Sequence, residues 1–146
     1  MGNNDCEVLI NNHEKLIGLF YRFKMSIGCS HETTYDLFYR FKWAFEQHIY
    51  VEERVIFTKY HQQNPEDAMM IDTLVKQHHK LVELLDTVEN DIVNKRRIFI
   101  AGFEDMWLVH NRFEDDIIYP KIIEKVCGPQ DKVIYERYYG CVGVRI

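Results

Sequence analysis

The sequence predicts an all-α protein, an up-down-up-down four-helix bundle with an internal pseudo-repeat of two helical hairpins. Apolar residues recur at alternating spacings of three and four over four long stretches, as on the buried side of a helix. Short polar segments or segments containing proline and glycine separate these stretches. No segment alternates polar and apolar residues between hairpin turns, so strands are not expected.

The first helix is expected to begin near Asn4, at a pattern that resembles a capping box, and to stop at Gly28. Its buried seam consists of Leu9, His13, Leu16, Phe20, Phe23 and Ile27. The second helix is expected over residues 34–60, with Thr33 or Thr34 as its cap. Its buried seam consists of Phe38, Phe41, Ala44 or Phe45, His48, Val51 or Glu52, and Val55.

The third helix is expected over residues 65–94, beginning at Pro65. Its seam consists of Ile71, Leu74, His78, Leu81, Leu85, Val88 and Ile92. The fourth helix is expected to begin between residues 94 and 97 and to run past Ile123, with a kink or the end of its regular part at Pro120. Its stripe consists of Phe103, Met106 or Trp107, His110, Phe113 or Glu114, and Ile117.

Length and composition favour one domain over residues 1–146, with the bundle at about 5–126 and a C-terminal tail at 127–146. The chain has 146 residues, of which 47% are hydrophobic and 28% charged, as in globular proteins. A net charge of −5 argues against nucleic-acid binding. No signal sequence or spanning segment is recognised, so no membrane association and a cytoplasmic location are expected. The oligomeric state stays open.

The chain contains an internal repeat. Residues 12–20 align with residues 77–85, and residues 48–60 align with residues 110–122. The polar pairs that coincide are His13 with His78, His48 with His110, and Glu52 with Glu114; Phe57 coincides with Tyr119. The repeat therefore predicts two similar hairpins that pack about a pseudo-twofold axis.

The repeated polar residues predict a metal site. Residues four apart lie on one helix face, so each His-x-x-x-Glu pair can reach one metal or bridge to a second. Imidazole with carboxylate suits iron, manganese or zinc. The alternative is a metal-free core of His–Glu ion pairs. Burying unpaired polar groups costs roughly 2–7 kcal/mol each, against a net domain stability of about 5–15 kcal/mol, which favours the metal.

Two residues compete with the ligands that the repeat selects. His79 is the reserve choice for His78, although it lies about 100° round the helix. Asp115 competes with Glu114, because a bulged helix could turn Asp115 inward. His31 and His61 are expected to be solvated. Unless the helix is bulged, Asp115 is expected to lie with Glu53 and Asp116 on the charged flank of the helices.

The combined pattern of His13, His48-x-x-x-Glu52, His78 and His110-x-x-x-Glu114 resembles the hemerythrin-like (HHE cation-binding) domain family. The segments "EERVIF" and "EDDIIYP" are similar to that family's "EE-x-x-LFP" signature, and the resemblance covers residues 5–125. It implies a four-helix bundle that holds an oxo- or hydroxo-bridged pair of non-haem iron ions. It also implies bridging by Glu52 and Glu114, with terminal ligands His13, His48, His78 and His110.

The sequence departs from the oxygen-carrying hemerythrins at one position. Those proteins carry His-x-x-x-His in the third helix and His-x-x-x-x-Asp in the fourth, whereas here Leu74 precedes His78 by four residues. Asp115 does satisfy the second spacing. One imidazole is therefore missing unless His79 or a water replaces it, and the coordination would be more open.

The resemblance implies a binding protein for dioxygen or NO, acting as sensor, carrier or store. The alternative is an iron-dependent protein that handles peroxide or repairs iron centres, and zinc or manganese could replace iron. The aromatic residues expected near the ligands, which are also ordinary core positions, are Phe20, Phe45, Tyr50, Trp107 and Phe113.

Overall fold

The computed structural model describes residues 2–58, 60 and 65–125, with side chains described over 13–54, 56–58, 60 and 65–122. In these residues the chain is helical and contains no strand, which confirms the all-α prediction. The α-helices are α1 (Gly2–Ser26), α2 (His31–Val51), α3 (Ala68–Val93), α4 (Ala101–Phe113) and α5 (Tyr119–Lys125). A π-helix, Glu52–Phe57, extends α2; a 3-10 turn, Pro65–Asp67, leads into α3; and a second π-helix, Glu114–Ile118, joins α4 to α5.

These elements form four long helical segments, which is consistent with a four-helix bundle. The fourth segment consists of α4, the second π-helix and α5. Among the described helices, none combines the length and the apolar character needed to span a lipid bilayer.

The turn between α1 and α2 uses a different cap from the one predicted. Gly28 has a φ of +100°, which glycine adopts without strain. Ser30 caps α2, because its Oγ accepts the backbone N–H of Thr33 at 3.2 Å. Thr34 is buried and its Oγ1 donates to the carbonyl of Ser26 at 2.7 Å. The prediction of Thr33 or Thr34 as the cap was wrong, because Thr34 instead satisfies the end of α1.

The start of the fourth segment was also predicted too early. Helix α3 ends at Val93, within one residue of the predicted end. Lys95 then has a φ of +55°, in the left-handed region, and residues 96–100 are not helical. Helix α4 therefore begins at Ala101 rather than at residues 94–97.

The start of α1 and the surroundings of His31 differ in part from what the sequence predicted. Helix α1 begins at Gly2, before the predicted start. His31 is exposed as expected, but its ring Nε2 lies 2.8 Å from the carbonyl oxygen of Ile92 and ties α2 to the end of α3. His61 and the tail at 127–146 lie outside the described residues.

The second π-helix changes the role of Pro120. The backbone N–H of Tyr119 bonds to the carbonyl of Glu114, five residues back. Helical structure then continues through exposed Pro120 to Lys125, so this proline does not end the helix. The irregularity lies just before the proline, because a π-turn inserts an extra residue into the helical repeat.

The buried apolar residues form two clusters. The aromatic core consists of Leu16, Phe20, Phe23, Phe38, Phe41, Ala44, Phe45, Leu81, Leu85, Val88, Ile92, Phe103 and Trp107. The second core consists of Ile56, Phe57, Tyr60, Ile71, Leu74, Ile118, Tyr119 and Ile122. Along α2 and the π-helix that extends it, His48 and Glu52 lie between Phe45 of the first core and Ile56 of the second, so polar residues separate the two clusters.

Replacing Phe41 with alanine should destabilise the protein by about 3–5 kcal/mol, the usual cost of emptying an aromatic position in a core. The Phe41 ring is fully buried and lies 5.3 Å from Phe20 and 5.4 Å from Trp107, centroid to centroid. Urea unfolding measures the loss. Trp43→Ala on the same helix is the control, because Trp43 is 62% exposed and should change stability by about 0.5 kcal/mol or less. Equal losses in the two variants would contradict the assigned core.

Candidate metal centre

All six residues that the repeat selects lie together in the layer between the two cores. Helix α1 carries one of them, α3 carries one, and the two α-to-π junctions carry a His-x-x-x-Glu pair each. No more than 4% of any of these residues is exposed: His13, His48, Glu52, His78, His110 and Glu114.

The six residues form two groups that share both carboxylates. In the first group, His48 Nε2 lies 3.2 Å from Glu52 Oε2, and His13 Nε2 lies 3.2 Å from Glu114 Oε1. The imidazole rings of this group are 4.9 Å apart, centroid to centroid. Each glutamate therefore directs one oxygen to the first group.

The second group uses the other oxygen of each glutamate. His78 Nε2 lies 3.1 Å from Glu52 Oε1, and His110 Nε2 lies 3.2 Å from Glu114 Oε2. The two imidazole rings are 4.8 Å apart. Two imidazoles and two carboxylate oxygens thus converge in each group, and in each the potential ligand atoms lie within 4.8 Å of one another.

The contacts between these atoms fit a shared cation better than direct hydrogen bonds. Several of them make no hydrogen bond of acceptable geometry, although they are buried and close to one another: His48 Nε2, Glu52 Oε1, His78 Nε2 and Glu114 Oε2. Two donors that each lie about 2.1 Å from one metal are about 3 Å apart when they subtend a right angle. The observed separations of 3.1–3.2 Å match that spacing.

Hydrogen bonds to side chains outside the cluster fix the orientation of the two imidazoles in the second group. His78 Nδ1 lies 2.7 Å from Glu53 Oε2, and a carboxylate only accepts hydrogen bonds, so Nδ1 carries the proton. His110 Nδ1 lies 2.7 Å from Gln77 Oε1 in the same way. In the neutral form of each ring, the Nε2 lone pair then points into the cluster, as metal-binding histidines require.

The electrostatics show that the cluster attracts positive charge. Burial raises the pKa of Glu114, but the charge of His110 and the close approach of the His110, His13 and His78 imidazoles outweigh it and hold that pKa well below its usual range. Burial lowers the pKa of His78, yet the carboxylates of Glu114, Glu52 and Glu53 raise it to about 11. Two anionic carboxylates fully removed from water therefore need cations, whether protons on imidazole or metal ions.

The structure also corrects several sequence predictions around the site. His79, the reserve ligand, is exposed. Asp115 is buried, as the bulge argument allowed, but it belongs to neither group. Glu53 contacts His78 rather than forming a solvated flank. Tyr50 is 59% exposed, so it does not line the site.

Sequence reasoning missed Tyr119. Its hydroxyl donates to Glu52 Oε2 at 2.5 Å and lies 3.2 Å from Glu114 Oε1, so it contacts both shared carboxylates. The repeat aligned this tyrosine with Phe57, and that difference between the halves was the available signal. This difference could not be used, because the sequence did not predict a π-helix in each half. Without the π-helix before Tyr119, the position of its side chain beside the carboxylates could not be foreseen.

A family profile described as "Hemerythrin HHE cation binding domain" matches residues 4–122 of the chain. The chain belongs to this family. No curated protein and no solved structure shows significant similarity to it. The family description and the buried His/Glu cluster together indicate a metal-binding helical protein.

Replacing Glu52 with glutamine should remove most of the bound metal, because this residue gives one oxygen to each group and the amide carries no charge. Metal per chain, measured by elemental mass spectrometry after identical purification, should fall by at least half. The matched control is Glu46→Gln, an exposed position on the same helix, which should retain the wild-type content. Equal metal content in both variants, with both still helical by circular dichroism, would contradict the site.

Proposed function

We propose that this protein holds two iron ions in the two groups and binds dioxygen or NO there, as a sensor, carrier or store. The ligands would be His13 and His48 for one ion, and His78 and His110 for the other, with the carboxylates of Glu52 and Glu114 bridging. The observation that carries the proposal is the sharing of both carboxylates, because each directs one oxygen to each group. Other helical bundles also hold metal pairs between inward-facing glutamates and histidines, although with more glutamates and a Glu-x-x-His spacing.

We also propose that the bundle has up-down-up-down topology and consists of two related hairpins in one domain. Three features support the relationship between the hairpins. Both His-x-x-x-Glu pairs lie where an α-helix passes into a π-helix, at Glu52 and at Glu114. Each hairpin adds one further histidine from its first helix, and the two groups have nearly equal distances.

The donor count favours binding of a small external ligand. Leu74 is fully buried in the second core, so no further imidazole comes from the position four residues before His78. Each group therefore offers two imidazoles and two carboxylate oxygens, fewer than the six donors of an octahedral ion. Iron held with open positions would supply reversible binding of dioxygen or NO.

The residues around the groups keep the site dry and compact. The ring of Phe57 lies parallel to His78, 6.0 Å away with an interplanar angle of 9°. Tyr119 lies edge-on to His13 at 5.1 Å. The ligand residues and both rings are at most 4% exposed, and a site shielded from bulk water in this way favours small ligands such as diatomic gases.

Peroxide handling is the second candidate function. The hydroxyl of Tyr119 is the observation that favours it, since cleavage of an O–O bond requires a group that can hold a proton near the reacting atoms. Substantial peroxide turnover by the iron-loaded protein would favour this candidate over gas binding.

Freshly purified protein should contain about two irons per chain by elemental mass spectrometry. The reduced protein should change its absorption spectrum on exposure to air, and the change should reverse when oxygen is removed. The reason is that the protein would supply four donors to each ion, which leaves coordination positions open for oxygen. A single metal per chain, zinc in place of iron, or rapid irreversible oxidation would contradict the proposed function.

Stripping both ions should lower the melting temperature by at least about 10 °C, which is the loss expected from one cation alone. A cation present at about 1,000 times its Kd adds about 4 kcal/mol of stability, and for a chain of this size about 1 kcal/mol corresponds to 2–4 °C. Differential scanning calorimetry of metal-free and reloaded protein measures the shift. An unchanged melting temperature would mean that the buried polar layer is satisfied without metal.

A further inference from the structure

We propose that the two metal positions are unequal in affinity. The second group, His78 and His110, binds a divalent cation first and more tightly, and the first group, His13 and His48, holds the exchangeable cation. The inference rests on the proposed function only in requiring that both groups bind metal. It concerns the order of loading and the residues that set that order.

The first observation is the support behind the imidazoles. In the second group both rings donate through Nδ1 to a side-chain acceptor at 2.7 Å: His78 to Glu53, and His110 to Gln77. Such outer hydrogen bonds orient the ring and raise its basicity, and removing one typically costs 10–100-fold in metal affinity. In the first group, His48 Nδ1 is buried and has no hydrogen-bond partner among the described residues.

The second observation is the position of the Tyr119 hydroxyl. It contacts Glu52 Oε2 and Glu114 Oε1, and these are the two oxygens that belong to the first group. A hydrogen bond donated to a carboxylate oxygen stabilises its negative charge and lowers its basicity, so the oxygen becomes a poorer donor to metal. The two oxygens of a carboxylate share its charge, so Tyr119 weakens the first group, whose oxygens it contacts, more than it weakens the second.

The aligned residue in the other hairpin provides the comparison. Phe57 coincides with Tyr119 in the repeat and packs beside His78, but it has no hydroxyl. The oxygens of the second group, Glu52 Oε1 and Glu114 Oε2, therefore receive no equivalent hydrogen bond from this position. The Tyr119 hydroxyl is therefore a second difference between the surroundings of the two groups, beside the hydrogen bonds to Nδ1.

Nearby charge does not separate the groups. Glu53 adds a carboxylate beside His78, and buried Asp115 acts electrostatically on His13 in the first group. Each group therefore has one further carboxylate near it. The hydrogen bonds to Nδ1 and from Tyr119 therefore decide the difference, and both favour the second group.

The test is a stepwise titration of the metal-free full-length protein with Co²⁺, followed by calorimetry and by the visible absorption of bound cobalt. Wild-type protein should bind two ions in steps at least about tenfold apart in Kd. His13→Ala should keep the tight step and lose the weak one, and His78→Ala should lose the tight step. The opposite assignment would overturn the inference.

Tyr119→Phe tests the cause of the difference. It should strengthen the weak step and bring the two Kd values closer by about tenfold, with a smaller change in the tight step. Tyr39→Phe is the matched control, because Tyr39 bonds to Glu89 in another part of the bundle and should leave both steps unchanged. If Tyr119→Phe does not fold, Glu53→Gln replaces it, and this variant should weaken only the tight step.

The outcomes also separate this inference from the proposed function. Two equal steps in wild-type protein would overturn the inference while leaving a two-metal centre intact. The same ratio of Kd values in wild-type protein and Tyr119→Phe would overturn the role of the tyrosine. Failure to bind any Co²⁺, in a protein that is fully helical, would overturn both.

Discussion

The rest of the structure depends on the burial of two carboxylates at the centre of the protein. Glu52 and Glu114 are fully removed from water, and an unpaired buried charge costs far more than a domain of this size can sustain. Four histidines, one each from α1, α2, α3 and α4, satisfy that requirement, and the helices must hold them in register. The two apolar cores then fill the space on either side of this charged layer.

Much of the fold and most of the candidate site could be predicted from the sequence, because both depend on helical periodicity. The seams placed His13, His48, His78 and His110 on buried positions, and all four are buried. The His-x-x-x-Glu spacing identified the two glutamates, because residues four apart share a helix face whether or not a π-turn follows. Periodicity of this kind is local, so a single sequence contains it.

The parts that sequence did not reveal depend on tertiary contacts. Thr33, Thr34 and Ser30 are all acceptable caps, and the choice depended on Thr34 reaching the end of α1. The contacts of Tyr119 and Glu53 depend on π-turns, which shift later residues around the helix and have no reliable sequence signature. Both residues lie next to the candidate site but outside the apolar helical repeat, so the periodicity of the sequence does not predict their contacts.

The separation of the apolar interior into two cores affects how ions exchange between the candidate metal centre and solvent. Both π-helices contribute residues to the second core, whereas the buried residues of the aromatic core all lie in regular α-helix. Backbone hydrogen bonds in π-turns are less regular, so local opening should cost less at that end. An ion could then enter or leave through transient fraying of the second core while the aromatic core stays folded and preserves the arrangement of the helices.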